Sequence, residues 1–382
     1  MEKLKLHINA VRVNPILLSK RSRVSGISLR ESWLKSTGIS RKMKSFNLIT
    51  PRSPSDQIIK NSSIGYERKT QAKKCVRGIV VSKKVNRPKT PCSDINSEDD
   101  LSEERILISG SASYVLGKQI GNGAYSIVKE GIKKPDEMRV AVKIYKRSLN
   151  NKKTQDTKNE VRILKKLDHK NVVKFYESIE TADNLYLVFE FISEQSLCVY
   201  LHSKRKERLT EDVVRTIFAQ IVAGVSYLHS KDIVHRDIKL DNMLIDSNLK
   251  IKLIDFGFAT ILERQKRLST FCGTPNYMAP EIVSKKMYYG KPADVWALGI
   301  VFFALLTSTF PFYAKEKRDL YRKIIGGKFV VPEYVSKEGK ALIEKMLRVD
   351  PSKRSSCKEI LDSPFLTVVK SVTSLKLRTH RP

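Results

Sequence analysis

The sequence predicts an α+β fold of two lobes, a small β-rich one followed by a larger helical one, with a cleft between them. Three observations predict it. YVLGKQI (114–120) and RVAVKIY (139–145) are rich in β-branched and alternating apolar residues with glycines between them, which is strand texture. DTKNEVRILKKL (156–167) places its apolar residues at helical spacing, and NVVKFYESI and NLYLVFEFI return to strand texture and close a small sheet. After about residue 197 the pattern is helical, through VVRTIFAQIVAGVSYLH, ADVWALGIVFFALLT and GKALIEKMLRV. The expected division is a basic extension at 1–112, one folded domain at 113–365 and a short basic tail at 366–382.

The extension is the part least like a folded domain. Residues 1–97 hold 22 basic and 5 acidic side chains, and an acidic stretch, Glu98–Glu104, follows. Low hydrophobicity with this much charge does not offset chain entropy, so the segment is expected to be disordered. Thr50-Pro51, Ser53-Pro54 and Thr90-Pro91 suit proline-directed phosphorylation, or are ordinary pairs in a loose chain. The whole chain carries a formal +32, which bears on partners rather than fold. Polyanion contact through residues 1–97 is one expectation, although only Trp33, Phe46 and Tyr66 interleave aromatics there. Contact of the acidic stretch with the basic domain, inhibiting it, is another.

Five cysteines without a CxxC pair argue against a zinc site or disulfide framework and for a reducing compartment, cytoplasm or nucleus. The first residues lack the apolar stretch of a secretory signal, and Glu2 excludes N-myristoylation. The longest apolar run, Trp296–Leu306, is too short to cross a bilayer and is expected to be a buried helix, so no transmembrane segment is predicted.

Four motifs carry chemistry. Ile120 precedes Gly121-Asn122-Gly123-Ala124-Tyr125-Ser126-Ile127-Val128, a glycine-containing turn between two strands whose backbone can close over phosphates. Lys143 ends the apolar strand Val140-Ala141-Val142 and can reach the α- and β-phosphates of a nucleotide. A buried lysine needs a carboxylate, and Glu160 on the following helix is the candidate. His235-Arg236-Asp237-Ile238-Lys239-Leu240-Asp241-Asn242 is the strongest signal. Phosphoryl transfer depends on positioning and charge stabilisation, so Asp237 suits a base for an attacking hydroxyl, Lys239 a γ-phosphate partner, and Asn242 a magnesium ligand. Asp255-Phe256-Gly257 supplies a second oxygen ligand, in keeping with magnesium's use of few carboxylates beside phosphate oxygens.

In this order the motifs resemble the eukaryotic protein kinase superfamily over about two-thirds of the chain. The resemblance implies ATP and Mg as cofactors, protein substrates, and adenine binding at the hinge residues Glu190 and Ile192 behind a bulky Phe189. Ala279-Pro280-Glu281, Asp294-Val295-Trp296 and Arg354 continue the pattern. By position, Asp294 resembles the residue that steadies the catalytic loop, and Arg354 resembles the partner of Glu281. Leu164, Phe175, His235 and Phe256 resemble the stacked spine linking the lobes. Lys239 and Thr274 are the form usual for serine/threonine kinases, and Thr270 sits where an activating phosphate is usually placed, by an upstream kinase or by trans-autophosphorylation. Arg236 is its expected partner. Within the class the motifs most resemble the calcium/calmodulin-dependent and AMP-activated kinase group. The chain departs from the pattern in four places: Ser126 replaces a third loop glycine, Glu194-Gln195-Ser196 replaces Gly-Gly-Glu after the hinge, Asp241 shortens the usual Glu, and the closing aromatic motif is reduced to Ser363-Pro364-Phe365. The alternative to an active enzyme, a catalytically dead scaffold, is opposed by the presence of Lys143, Asp237, Asn242 and Asp255 together.

Overall fold

The computed structural model describes residues 76–77, 79–83, 104–110, 112–123, 126–147, 151–193, 195–204, 207–263 and 266–367. Ala124, Tyr125, Glu194, the three Ser/Thr-Pro pairs and most of both predicted tails lie outside the described residues. The chain divides into two units, Met1–Ser45, wholly outside the described residues, and Phe46–Pro382.

The N-terminal lobe of the second unit is a curled sheet. Its strands are β1 (Val76–Arg77), β2 (Ile79–Lys83), β3 (Glu104–Ser109), β4 (Ala112–Asn122), β5 (Ser126–Lys134), β6 (Met138–Lys146), β7 (Phe175–Glu180) and β8 (Asn184–Glu190). They run in the order β1-β7-β8-β6-β5-β4-β3-β2. Segment 76–83 therefore stands at both edges: Val76 pairs in parallel with Ile179 of β7, and Ile79 pairs antiparallel with Ile108 of β3. One short segment thus brings the two edges of the sheet together. The sheet passes N-terminal to the boundary that the sequence placed at residue 113. IVVSK and ERILIS have strand texture, but both are short and lie in charge-rich surroundings that dominate any average over the extension. Leu107 of β3 packs into the same core as Tyr114, Leu116, Val140, Val142, Ile179 and Val188. The hydroxyls of Ser109 and Tyr114 both donate to the Glu177 carboxylate, at 2.6 and 2.5 Å, which ties β3 and β4 to β7.

Helix α1 (Asn151–Leu164) crosses behind this sheet with Ile163 and Leu164 buried. It starts earlier than the periodicity of 156–167 suggests and stops short of Leu167.

The C-terminal lobe is helical. After β9 (Gln195–Ser196), helix α2 (Leu197–Ser203) is capped by the Ser196 side chain, which accepts from the Val199 N–H. Helix α3 (Glu211–Ser230) starts from a Thr210 cap with Glu211 and Asp212 in its first turn, where the dipole favours them. Val214, Ile217, Phe218, Ile221, Val225 and Leu228 recur at helical spacing and form its buried stripe. Helix α4 (Pro280–Val283) leads to α5 (Gly290–Thr307), which is apolar all round. By length and composition α5 is apolar enough to cross a membrane, but 89% of it is buried inside the lobe. The sequence reading of this run as a buried helix agrees. Helices α6 (Lys317–Gly326), α7 (Lys337–Met346) and α8 (Cys357–Leu361) follow, the last with a Ser356–Glu359 capping box. Phe302 of α5 stacks on Phe218 of α3 and meets Phe365 edge-on, which joins the segment after α8 to the core.

Candidate active site

The catalytic motif sits where α5 presses against a short strand. Between α3 and α4 lie β10 (Ile233–Val234), a 3₁₀ turn at Leu240–Asn242, β11 (Met243–Ile245), β12 (Ile251–Leu253) and β13 (Thr260–Ile261). β11 pairs with β12 as a hairpin, and β10 pairs with β13. A Cβ on Gly290 at the start of α5 would lie 2.7 Å from the Val234 side chain, so only glycine lets the helix approach β10 so closely. That approach delivers Asp294 to the loop. Its carboxylate accepts the backbone N–H groups of His235 and Arg236 and a bond from His229, each at 2.9 Å. Arg236 and Asp255 both have positive φ, 64° and 63°. Such backbone persists where surrounding contacts over-determine it.

Asp294 is 1% exposed. Burial pushes its carboxyl up, but the bonds and charges of His229 and His235 outweigh this and hold it below the ordinary value. A carboxyl depressed in the folded state contributes stability above its unfolded pKa, near 3.9, and loses it as pH falls through the folded value. Asp294→Asn is therefore expected to destabilise by a constant amount above about pH 5. The gap to wild type should begin to narrow only below about pH 4 and shrink further as pH falls through the depressed folded value, as urea titrations at pH 7, 5 and 3 would reveal.

Asp237 is 5% exposed, and its carboxylate is held at both ends. Thr274 Oγ1–H donates to Oδ1 at 2.9 Å, while Lys239 Nζ and Asn242 Nδ2 donate to Oδ2 at 2.6 and 3.0 Å. Lys239 also reaches Thr274 Oγ1 at 3.1 Å. Asn242 Nδ2 donates to the Asp237 carbonyl as well, so its amide oxygen is left as a ligand atom. The four residues form one fixed cluster. A cavity of about 20 Å³ lies beneath them, lined by Asp237, Cys272, Thr274, Tyr277, Met278 and Asp294 among others. Burial raises the Cys272 thiol, which fits inert packing.

Across the cleft, Lys143 Nζ lies 3.0 Å from Glu160 Oε1 and 2.8 Å from Asp255 Oδ1. Glu160 is 2% exposed, so α1 is seated with its carboxylate inward. Burial disfavours the Lys143 ammonium, but Glu160 and Asp255 outweigh this and keep it charged. Burial likewise raises Asp255, and Lys143 overrides it, leaving the carboxyl below its ordinary range. Sequence reasoning did not single out Tyr145, whose hydroxyl donates to the second Glu160 oxygen at 2.6 Å. Its place two residues after Lys143, on the same face of β6, was the available signal.

The other predicted residues fall around this cluster. Gly121 and Asn122 end β4, and Ser126, Ile127 and Val128 open β5, with Ile120 exposed at the lip. Gly123 N–H donates to Ser126 O at 2.7 Å, and a Cβ on Gly123 would lie 2.8 Å from Ser126 Oγ. A larger residue at 123 would thus have to displace the Ser126 side chain. Ser126 turns inward and is buried. The Glu190 carboxylate is engaged by Lys252 Nζ and the Lys174 N–H, at 2.6 and 2.7 Å. Phe189 meets Phe175 edge-on, and His235 packs 5.2 Å from Phe256. Thr270 is exposed; Tyr288 donates to its carbonyl, and Arg236 donates to Phe258 O and hydrogen-bonds Tyr288. Arg354 grips Glu281 with two bonds of 2.7 Å.

Among the described residues no three His, Cys, Asp or Glu side chains form a metal cage. One carboxylate and one amide, Asp255 and Asn242, suit magnesium, which keeps phosphate and water oxygens for its other positions. The donor set fits Mg·ATP.

A glycine turn over a sheet, a lysine–glutamate pair and a clamped aspartate at the mouth of a helical lobe define a nucleotide-dependent phosphotransferase site. The protein kinase domain family matches residues 114–366, and the chain belongs to that family. Relatives of the chain are named serine/threonine-protein kinases. Over 263 residues it is 41% identical to a probable serine/threonine-protein kinase MARK-A of Dictyostelium discoideum, covering 68% of this chain and 24% of that protein. It is 38% identical over 258 residues to the serine/threonine protein kinase OSK3 of Oryza sativa subsp. indica, covering 67% and 50%. The SNF1-related protein kinase catalytic subunit alpha KIN12 of Arabidopsis thaliana is 38% identical over 261 residues, covering 68% and 52%. The chain thus spans between a quarter and about half of the length of these relatives. The family uses ATP and magnesium generally.

Proposed function

We propose that this cleft transfers the γ-phosphoryl group of ATP to serine and threonine hydroxyls of proteins. The observation that carries the reading is the clamp on Asp237, with the Lys143–Glu160–Asp255 set facing it. Asp237 accepts the proton of the attacking hydroxyl as the new O–P bond forms and the bond to ADP breaks. Lys239 neutralises the transferred group and fixes the Asp237 carboxylate. Lys143 binds the α- and β-phosphates, and Glu160 positions Lys143. The loop from Ile120 to Val128 covers the phosphates, and the backbone of Glu190 and Ile192 receives adenine. Asn242 and Asp255 hold magnesium, which supplies neutralisation of the phosphate charge when bound. Thr274 orients the acceptor, and Thr270 is the site of an activating phosphate from an upstream kinase or a second copy. Contact of residues 1–97 with polyanions and a cytoplasmic or nuclear location are proposed on charge and cysteine usage alone.

The test is the full chain with Mg·ATP and a generic basic protein, followed by phosphoamino-acid analysis. Phosphoserine and phosphothreonine support the reading; phosphotyrosine alone, or no transfer, overturns it. Thr274→Val keeps shape but removes the hydroxyl shared by Asp237 and Lys239. One such bond is worth about 1 kcal/mol, so kcat is expected to fall roughly fivefold while KM for ATP stays.

A further inference from the structure

We propose that Tyr145 is a positioning residue that holds Glu160 in its paired place, so that the N-terminal lobe itself seats α1 against the cleft. The inference rests on the kinase reading of the site and concerns its regulation.

Tyr145 lies two residues after Lys143 on β6, so both side chains leave the same face of the strand. They meet the same carboxylate. Lys143 takes Oε1 at 3.0 Å and Tyr145 takes Oε2 at 2.6 Å. The Lys143 ammonium also lies 5.1 Å from the centre of the Tyr145 ring. The hydroxyl sits against the next motif as well, since a Cβ on Gly257 would lie 4.0 Å from Tyr145 Oη and 3.9 Å from Glu160 Oε2.

The lysine alone is a divided anchor. Its single ammonium serves Glu160 and Asp255 together, and Asp255 is the nearer by 0.2 Å. A nucleotide would draw on the same ammonium. The Tyr145 hydroxyl donates to Glu160: burial and the Glu160 carboxylate outweigh the opposing Lys143 ammonium and keep the phenol protonated, hence a donor. Its removal leaves an oxygen of a carboxylate that is 2% exposed without a hydrogen-bond donor from β6. A further polar tie from α1 is Asn159 Nδ2, which donates to Ala259 O, two residues after Gly257, at 3.2 Å. Glu160 thus has one donor that bound phosphates do not compete for, supplied before any change at Thr270.

Tyr145→Phe keeps the ring and deletes only the hydroxyl. In the full, phosphatase-treated chain, kcat/KM for ATP is expected to fall about tenfold, and the dissociation constant for Mg·ADP to rise several-fold. KM for the protein substrate and the melting temperature should stay close to wild type. The double-mutant cycle carries the decision. In a Glu160→Gln background, nucleotide affinity is measured directly by calorimetry, and Tyr145→Phe should have little further effect, because the partner is already altered. Equal nucleotide affinity of wild type and Tyr145→Phe, or fully additive effects in the cycle, overturns the proposal. A wild-type chain that binds Mg·ADP but transfers no phosphate would instead sink the kinase reading and leave the coupling measurable.

Discussion

Asp237→Asn is expected to lower kcat by about 10²- to 10⁴-fold, the usual contribution of a general base. That corresponds to roughly 3–5 kcal/mol of barrier. The size follows from the geometry. Asp237 Oδ1 accepts from Thr274, and Oδ2 accepts from Lys239 and Asn242, so the carboxylate is acceptor on every side. An asparagine of the same shape must turn one N–H₂ toward donors. If it faces Lys239 and Asn242, two donors oppose it; if it faces Thr274, the hydroxyl must rotate and lose its orientation. Either way the proton acceptor is gone. The lobes should not move, because the Asp237 carbonyl still takes Asn242 Nδ2 and the loop backbone is still held by Asp294. Stopped-flow or steady-state assays should therefore report a loss in kcat with Mg·ADP affinity within about twofold of wild type. A loss confined to nucleotide affinity would assign Asp237 to binding instead.

Much of this site was legible in the sequence because its parts are local. Asp237, Lys239 and Asn242 lie within six residues, and the short 3₁₀ turn at Leu240–Asn242 returns Asn242 to Asp237. The Lys143–Glu160 pair was legible for a different reason: one residue follows the buried Val140 and Val142 within β6 and the other precedes the buried Ile163 and Leu164 on α1, so each charge lies beside a buried face and needs a partner. What stayed hidden depends on register and on distant contacts. Tyr145 looked like strand filler because tyrosine is common in strands, and only the seating of α1 gives its hydroxyl a partner. The hinge residue Glu190 has side-chain partners the sequence did not suggest, Lys252 and the Lys174 backbone, 62 and 16 residues away in sequence. The strands at 76–83 and 104–109 were hidden by their charge-rich surroundings: the pairing of β1 with β7 is long-range, while β3 joins β4 in a tight local hairpin whose short strands an average over the extension conceals. Helix α6 was passed over because KRDLYRKIIG is mostly charged and buries only Leu320 and Ile324.

Arg354→Met is expected to destabilise the C-terminal lobe by about 3–5 kcal/mol, the usual cost of leaving one member of a buried ion pair alone. The Arg354 side chain is 0% exposed and that of Glu281 is 8% exposed. Two bonds of 2.7 Å join them, and the same guanidinium donates to the carbonyls of Pro292, Arg348 and Val349. It also lies 5.0 Å from the Trp296 ring centre. Arg354 therefore pins the entry to α5, the loop before α8 and the end of the activation segment to one point. The single substitution strands a buried carboxylate and three carbonyls. Adding Glu281→Gln removes the stranded charge, so the double variant should recover about 1–2 kcal/mol relative to Arg354→Met, a coupling that additive effects would exclude. Urea unfolding followed by tryptophan fluorescence reads this directly, since Trp296 sits at the same point. The activity consequence follows from the packing: α4 carries Glu281 and begins six residues after Thr274, so loosening Glu281 frees the segment that sets the Thr274 hydroxyl against Asp237. Arg354→Met is accordingly expected to lower kcat even at temperatures where the lobe remains folded.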